Sequence, residues 1–210
     1  MKLLTKDKLQ YWGHSLLHPF DGFFEIRFRN HGSLLIATLL LIAYGILRCL
    51  SYQYTGFVMN FNNIEEMDAL SIFISTISVV LLASVSNWTI TTLFNGKGKL
   101  KDIYIVICYS LTVLIIGDLV VTFASNFVAT EEVMILTSIQ MVCYVYFVFL
   151  LIAGLGTIHE YGFGGNLASM VLTVVAAAVI LFIGVLLFTM LERMFNFVTS
   201  VSEELMRRLQ

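Results

Sequence analysis

The run IYIVICYSLTVLIIGDLVVTF, residues 103–123, decides the fold. It holds a single charged residue, Asp118. A helix of about 20 mostly apolar residues crosses the hydrocarbon core of a bilayer, which is about 30 Å thick. The apolar residues are continuous, whereas the strands of a membrane barrel alternate between apolar and polar positions. The run therefore predicts a transmembrane helix.

The whole chain of 210 residues follows the same pattern, with 59% hydrophobic and 12% charged residues. Soluble domains average about 45–50% apolar and about 25% charged residues. We therefore predict an all-α polytopic membrane bundle with five transmembrane helices, preceded by a cytoplasmic interfacial segment, 1–32, and followed by an amphipathic helical tail, 192–210. The tail would continue the fifth span as an amphipathic helix and rest on the outer leaflet or contact a partner. The five predicted spans are 33–50, 70–94, 103–123, 133–158 and 167–191.

Lysine and arginine predict the orientation. They occur in the N-terminal segment and in the loop that holds Lys97, Lys99 and Lys101, whereas loops 51–69 and 124–132 contain neither. Short loops rich in these residues face the cytoplasm. This places the N-terminus inside and, after five crossings, the C-terminus outside. The arginines at 193, 207 and 208 argue mildly against that arrangement.

The loop NGKGKLKD, 95–102, has two interpretations. A phosphate-binding loop needs a longer glycine frame, Ser or Thr after the lysine, and a preceding strand. These features are missing here, and Asn-Gly is a strong turn signal. We therefore interpret the loop as a turn whose lysines lie at an anionic membrane surface, each gaining about 1 kcal/mol.

The segment NWTITTLFNGKGKLKDIYIVICYSL, 87–111, resembles the most recognisable part of bacterial members of the Ypt-interacting protein (Yip) domain family. Three further stretches are similar to other parts of that family: HPFDGFFEIRFRNHGSL at 18–34, QYTGFVMNFNN at 53–63 and, more loosely, HEYGFGGN at 159–166. The resemblance implies a helical bundle in the bacterial plasma membrane with a cytosolic N-terminus. Eukaryotic relatives bind small prenylated GTPases, and the genes of bacterial members often lie beside sugar-importer genes.

Asp118 is a functional candidate because an ionisable residue inside a span is costly. It lies roughly 22 Å along its span and Arg48 roughly 21 Å along the first span, at 1.5 Å per residue. The matched depths allow an intramembrane ion pair. Three interpretations stay open: a fixed pair that joins two helices, an aspartate that reaches the outer headgroups, and a proton or ion pathway.

The N-terminal segment predicts a helix that begins at Pro19, which suits a first helical position. Phe20, Phe23 and Phe24 then recur with helical spacing, which indicates a helix lying in the cytoplasmic interface. This helix would be a membrane anchor or a docking surface. Together with Lys97, Lys99 and Lys101, its aromatic residues are the predicted contacts for lipid or a partner.

No catalytic, cofactor or metal constellation is predicted. The four histidines, at 14, 18, 31 and 159, are expected to be interfacial or capping rather than metal ligands. A net charge of −2 implies no nucleic-acid partner. The predicted function is a non-enzymatic accessory or scaffold subunit of a plasma-membrane complex, in contact with the lipid bilayer and other membrane proteins, with a sugar importer as the suggested partner. The alternative is a small transporter or channel with Asp118 in its path. Homo-oligomerisation stays open.

Overall fold

The computed structural model describes residues 6–94 and 96–209, and every regular element within them is a helix. Short 3-10 turns, Ile64–Glu66 and Thr130–Glu132, precede α4 and α6. The helices in chain order are α1 (Lys6–Leu17), α2 (Pro19–Phe28), α3 (Leu34–Tyr54), α4 (Ala69–Leu93), α5 (Leu100–Ala124), α6 (Val133–His159) and α7 (Phe163–Leu209).

Five of these helices, α3 to α7, are long and apolar enough to cross a membrane, which confirms the predicted fold class. The last of them continues into the tail, as predicted. Span 167–191 and the tail form one helix, α7, of 47 residues. At 1.5 Å per residue α7 is roughly 70 Å long. It therefore has more than enough length to cross a hydrocarbon core of about 30 Å.

Helix α5 forms the centre of the bundle and packs against α1, α2, α3, α4 and α6. Two thirds of its most apolar window, 67%, is buried inside the protein. A helix that is apolar on all sides can be covered on all sides. Small residues allow close approach: a Cβ on Gly117 would lie 2.7 Å from Cys143 Sγ on α6. The single run that predicted a transmembrane helix is therefore also the core of the bundle.

The N-terminal segment is a helical hairpin rather than one helix. Pro19 begins α2 as predicted, and α1 precedes it. The two helices cross at Gly22, where an added Cβ would lie 2.4 Å from Ser15 Cα. Trp12 Nε1 donates to Thr112 Oγ1 of α5 at 3.0 Å. The tyrosine hydroxyl of Tyr146 on α6 donates to the Leu16 carbonyl at 2.6 Å. These contacts hold the hairpin against the middle of α5 and α6.

The loops gather at two ends of the bundle. The end where the α4–α5 loop meets the α6–α7 loop carries Lys97, Lys99 and Lys101, and we call it the basic end. The end where the α3–α4 loop meets the α5–α6 loop carries acidic residues at positions 65, 66, 68, 131 and 132, and we call it the acidic end. At the acidic end Gly56 N–H donates to Ser125 Oγ at 2.8 Å.

Candidate functional site

A buried polar network joins α4, α6 and α7 near the basic end. The Asn87 amide donates from Nδ2 to Thr173 Oγ1 at 3.0 Å, and Asn87 Oδ1 lies 3.2 Å from His159 Nε2. Gly98 N–H points at His159 Nδ1, at 3.3 Å. Because Nδ1 accepts, we assign the proton of a neutral imidazole to Nε2, which donates to Asn87. The network therefore satisfies its buried polar atoms in one fixed arrangement.

The α4–α5 loop packs directly on this imidazole. A Cβ on Gly98 would lie 2.5 Å from His159 Cε1, and a Cβ on Gly96 would lie 2.7 Å from Thr91 Cβ. Only glycine fits such close approaches without displacement. The Gly98 N–H is already used by His159. This geometry agrees with a tightly packed turn, the favoured interpretation of the sequence.

An ion-pair cluster covers the same loop. The Lys97 ammonium donates to Glu160 Oε2, and Arg27 Nη2 of α2 lies 3.7 Å from Glu160 Oε1. The hydrogen bond from Lys97, with the positive charges of Lys97 and Arg27, lowers the pKa of Glu160 below its ordinary value. Lys97 thus has a partner within the chain, and all three lysines of the loop are exposed.

The three aromatic residues predicted as contacts divide between surface and core. Phe20 is 61% exposed and Phe24 is 46% exposed. Phe23 is fully buried, with its ring against Gly154 of α6. The inclusion of Phe23 in a contact surface is therefore corrected, because that side chain packs the hairpin onto the bundle.

A second polar cluster lies nearer the acidic end and joins α3, α5 and α6. Arg48 Nη1 lies 3.6 Å from Asp118 Oδ2, so the structure brings together the two residues of the proposed ion pair. Gln140 Nε2 donates to Asp118 Oδ1 at 3.0 Å. The Asp118 side chain is 4% exposed, whereas the Arg48 side chain is 42% exposed. The carboxylate is thus enclosed and the guanidinium half open.

Two cavities surround this cluster. A polar cavity of about 450 Å³ opens toward the acidic end and is lined by Asp118, Arg48 and Gln140. Its other polar lining residues are Ser51, Tyr52, Thr55, Asn60, Asn62, Ser75, Thr76 and Thr122. An apolar groove of about 510 Å³ continues from Arg48 to Asn87. The arrangement offers recognition of a polar group at one end and an apolar group at the other.

The four histidines do not gather at one place. The rings of His14 and His18 stack at 4.8 Å, and His31 stacks on Tyr11 at 4.1 Å. His159 is buried in the network around Asn87.

The sequence showed Asn87 and Gln140 as polar side chains within spans, but it did not predict the contacts that these two residues and Thr173 make. Asn87 and His159 each lie within a stretch that resembles the family. That resemblance was the one sequence feature that linked the two residues. Gln140 is one of few amide side chains inside a span, which marked it as unusual without naming its partner. Thr173 carried no signal, since a hydroxyl in an apolar helix usually bonds its own backbone.

Comparison with known proteins agrees with this architecture. Residues 13–194 match the family model described as the Yip1 domain. No curated protein and no solved structure is significantly similar to the chain. The matched range includes both polar clusters and the part of α7 up to residue 194.

Proposed function

Since the chain belongs to the Yip1 domain family, we propose that it is a non-enzymatic membrane scaffold, an accessory subunit that holds another integral membrane protein beside its bundle. The observation that carries the proposal is the exposure of α7. Every large apolar side chain that the structure describes from Leu181 to Met206 is at least 42% exposed. Transmembrane helices associate through close packing, and this half of α7 offers a long apolar face that the bundle does not cover.

The interior of the bundle favours the scaffold function rather than a permeation path. Arg48 and Asp118 form a pair between α3 and α5, and the buried His159 is held by Asn87 and Gly98. Between the two clusters the groove is lined mainly by aliphatic and aromatic side chains. Such a lining offers few partners to a hydrated ion.

We place the protein in a bacterial plasma membrane with its basic end in the cytoplasm. The clustering of lysine at one end supports this orientation. The partner we propose is a membrane subunit of a sugar importer, on the strength of the family resemblance. A second contact surface for the partner or for lipid would combine Phe20 and Phe24 of α2 with Lys99 and Lys101.

Site-specific photo-crosslinking in native membranes tests the scaffold. A photoreactive phenylalanine analogue replaces Phe188 or Phe195 on α7, and Leu39 on α3 serves as a matched, 55% exposed control. We expect one discrete adduct from the two α7 positions, with an importer subunit identified by mass spectrometry, and none from the control. Adducts with lipid alone would contradict the proposal. Adducts with a second copy of the chain would replace the importer by a homo-oligomer.

The polar cavity favours one alternative, a small transporter or channel with Asp118 in its path. Reconstitution into vesicles with flux assays tests it. If the wild type moves a solute and Asp118→Asn abolishes that flux while the protein stays folded, transport replaces the scaffold as the function. Absence of any flux above empty vesicles would support the scaffold.

A further inference from the structure

The polar cavity and the apolar groove lie side by side. Three residues, Arg48, Ser75 and Thr76, line both spaces. Each volume, about 450 Å³ and about 510 Å³, falls within the range of ligand pockets. A ligand that filled both would be polar at the acidic end and apolar along the rest of its length. This is the shape of a membrane lipid.

The polar half holds an unsatisfied acceptor. Asp118 Oδ1 accepts from Gln140, whereas the buried Oδ2 has no hydrogen-bond partner among the residues that the structure describes. Arg48 Nη1, at 3.6 Å from Oδ2, is outside hydrogen-bonding distance, and its side chain is 42% exposed. A buried carboxylate oxygen without a donor is costly. The site therefore has a place for a hydrogen-bond donor beside a half-open guanidinium.

The apolar half has the length of an acyl chain. Along α4 the groove runs from Ser75 to Asn87, which is roughly 18 Å at 1.5 Å per residue. One leaflet accounts for about half of a hydrocarbon core of about 30 Å. Val79 and Val174 line the groove and are 64% and 70% exposed, so it opens sideways toward lipid. Asn87, held by Thr173 and His159, closes the far end.

The depth of the polar half suits a headgroup. Arg48 lies six residues before the end of α3, and Asp118 lies six residues before the end of α5. Both are roughly 9 Å from the acidic end of their helices. This depth is roughly 5–10 Å inside a hydrocarbon core about 30 Å thick, and the polar cavity extends from there to the loop residues Asn60 and Asn62 at the acidic end.

We propose that the polar cavity and the apolar groove together bind one phospholipid whose headgroup carries a phosphate and a primary ammonium. The phosphate contacts Arg48, the ammonium donates to Asp118 Oδ2, and one acyl chain lies along α4 as far as Asn87. The charges of the site select this headgroup. A quaternary ammonium has no N–H to donate, and the hydroxyls of an anionic glycerol headgroup can donate a hydrogen bond but bring no positive charge to the Asp118 carboxylate. The proposal goes beyond the scaffold function, because the groove and the outer face of α7 are separate surfaces.

Native mass spectrometry of the delipidated full-length protein tests this site. Phosphatidylethanolamine, phosphatidylcholine or phosphatidylglycerol with identical acyl chains is added back, and bound lipids are counted. We expect one phosphatidylethanolamine per chain, bound about tenfold more tightly than either of the others. We expect Asp118→Asn to remove this preference. Equal binding of all three lipids by the wild type, or an unchanged preference in Asp118→Asn, overturns the proposal.

A matched pair of variants tests the acyl-chain half. Ala83→Phe fills the groove and should lower the binding of every lipid at the site about tenfold. Ala178→Phe adds the same bulk on an exposed position of α7 and should leave binding unchanged. If Ala83→Phe does not fold, Ser75→Phe, at an exposed position that lines both cavities, takes its place. Unchanged lipid binding by the groove variant overturns the proposal.

Discussion

His159 Nε2 and Asn87 Oδ1 lie 3.2 Å apart across the contact between α6 and α4, although 72 positions separate the two residues in the chain. The pair is buried, and Gly98 N–H orients the imidazole from its other side. One hydrogen-bonded network thus connects three spans with the loop at the basic end. Its rigidity is the basis of the first two predictions.

Replacing Asn87 with alanine should destabilise the protein. The substitution leaves the His159 Nε2 proton buried without an acceptor, and such a loss costs about 1–3 kcal/mol. Thermal unfolding in mild detergent measures the effect. Thr89→Ala, at an exposed position on the same helix, is the control and should change stability by less than about 0.5 kcal/mol. Equal stability of the two variants would contradict the network.

The close packing of the loop predicts opposite effects at two glycines. Gly98→Ala places a Cβ 2.5 Å from His159 Cε1 and should destabilise by about 1–3 kcal/mol through overpacking. At Gly164, in the first turn of α7, an added Cβ meets nothing within 4 Å. Gly164→Ala should therefore stabilise by about 0.5–1 kcal/mol through helix propensity. Unfolding measurements that gave both variants the same sign would refute this account.

The pair of Arg48 and Asp118 predicts energetic coupling between α3 and α5. Arg48→Ala leaves the enclosed carboxylate without its counter-charge and should destabilise the protein. Adding Asp118→Asn to that variant removes the stranded charge and should recover part of the loss. In a double-mutant cycle we expect a coupling of about 1 kcal/mol or more, within the range for residues in contact. A coupling near zero would show that the pair does not join the helices.

Acid should weaken the contact between the α4–α5 loop and the α6–α7 loop. The pKa of Glu160 is lowered in the folded protein by the hydrogen bond from Lys97 and by the charges of Lys97 and Arg27. Its stabilising contribution is therefore present above its unfolded pKa, near 4.5, and is lost as pH falls through the lower folded pKa. We expect Glu160→Gln to be less stable than wild type at pH 7 and equal to it at the most acid pH.

Unfolding curves of wild type and Glu160→Gln, recorded from neutral pH downward, measure this difference. Glu131→Gln, an exposed site at the acidic end, is the control. A stability difference for Glu160→Gln that stays constant with pH would rule out the ionised pair as its cause.

The orientation predicts labelling from one side only. With the three native cysteines replaced by serine, Glu131→Cys at the acidic end should react with a membrane-impermeant thiol reagent added to intact cells. Lys99→Cys at the basic end should react only after the cells are opened. Reporters fused to the two termini should likewise report opposite compartments. Labelling of Lys99→Cys in intact cells would reverse the orientation.

Local hydropathy was enough to predict the five spans, because each span needs its own run of apolar residues to be stable in hydrocarbon. The predicted limits differ from the helices most at the end of α3 and at the start of α7, by four residues each, and the predicted continuation of the last span into the charged tail is confirmed. Hydropathy marks where apolar residues end, but a helix continues as long as backbone hydrogen bonds and propensity allow. The hairpin of α1 and α2 was half predicted, since Pro19 marked the start of α2 and nothing marked α1.

Rise per residue was enough to place Arg48 and Asp118 at the same depth, because depth along a helix depends on sequence position alone. Which side of a helix faces the core, in contrast, depends on the helices that pack against it. Helical spacing grouped Phe20, Phe23 and Phe24 together, and only packing against Gly154 separated buried Phe23 from its exposed neighbours.

From its residues alone, this chain specifies a membrane protein with five helical spans and the position of each charge along them. The tertiary structure alone decides that Gln140 meets Asp118, that His159 meets Asn87, and that a polar cavity and an apolar groove share Arg48. The physical reason is that hydrocarbon selects for apolarity within each span, one segment at a time. Hydrogen bonds, ion pairs and cavities require atoms from several helices within a few ångströms, and that geometry is set by how the helices pack.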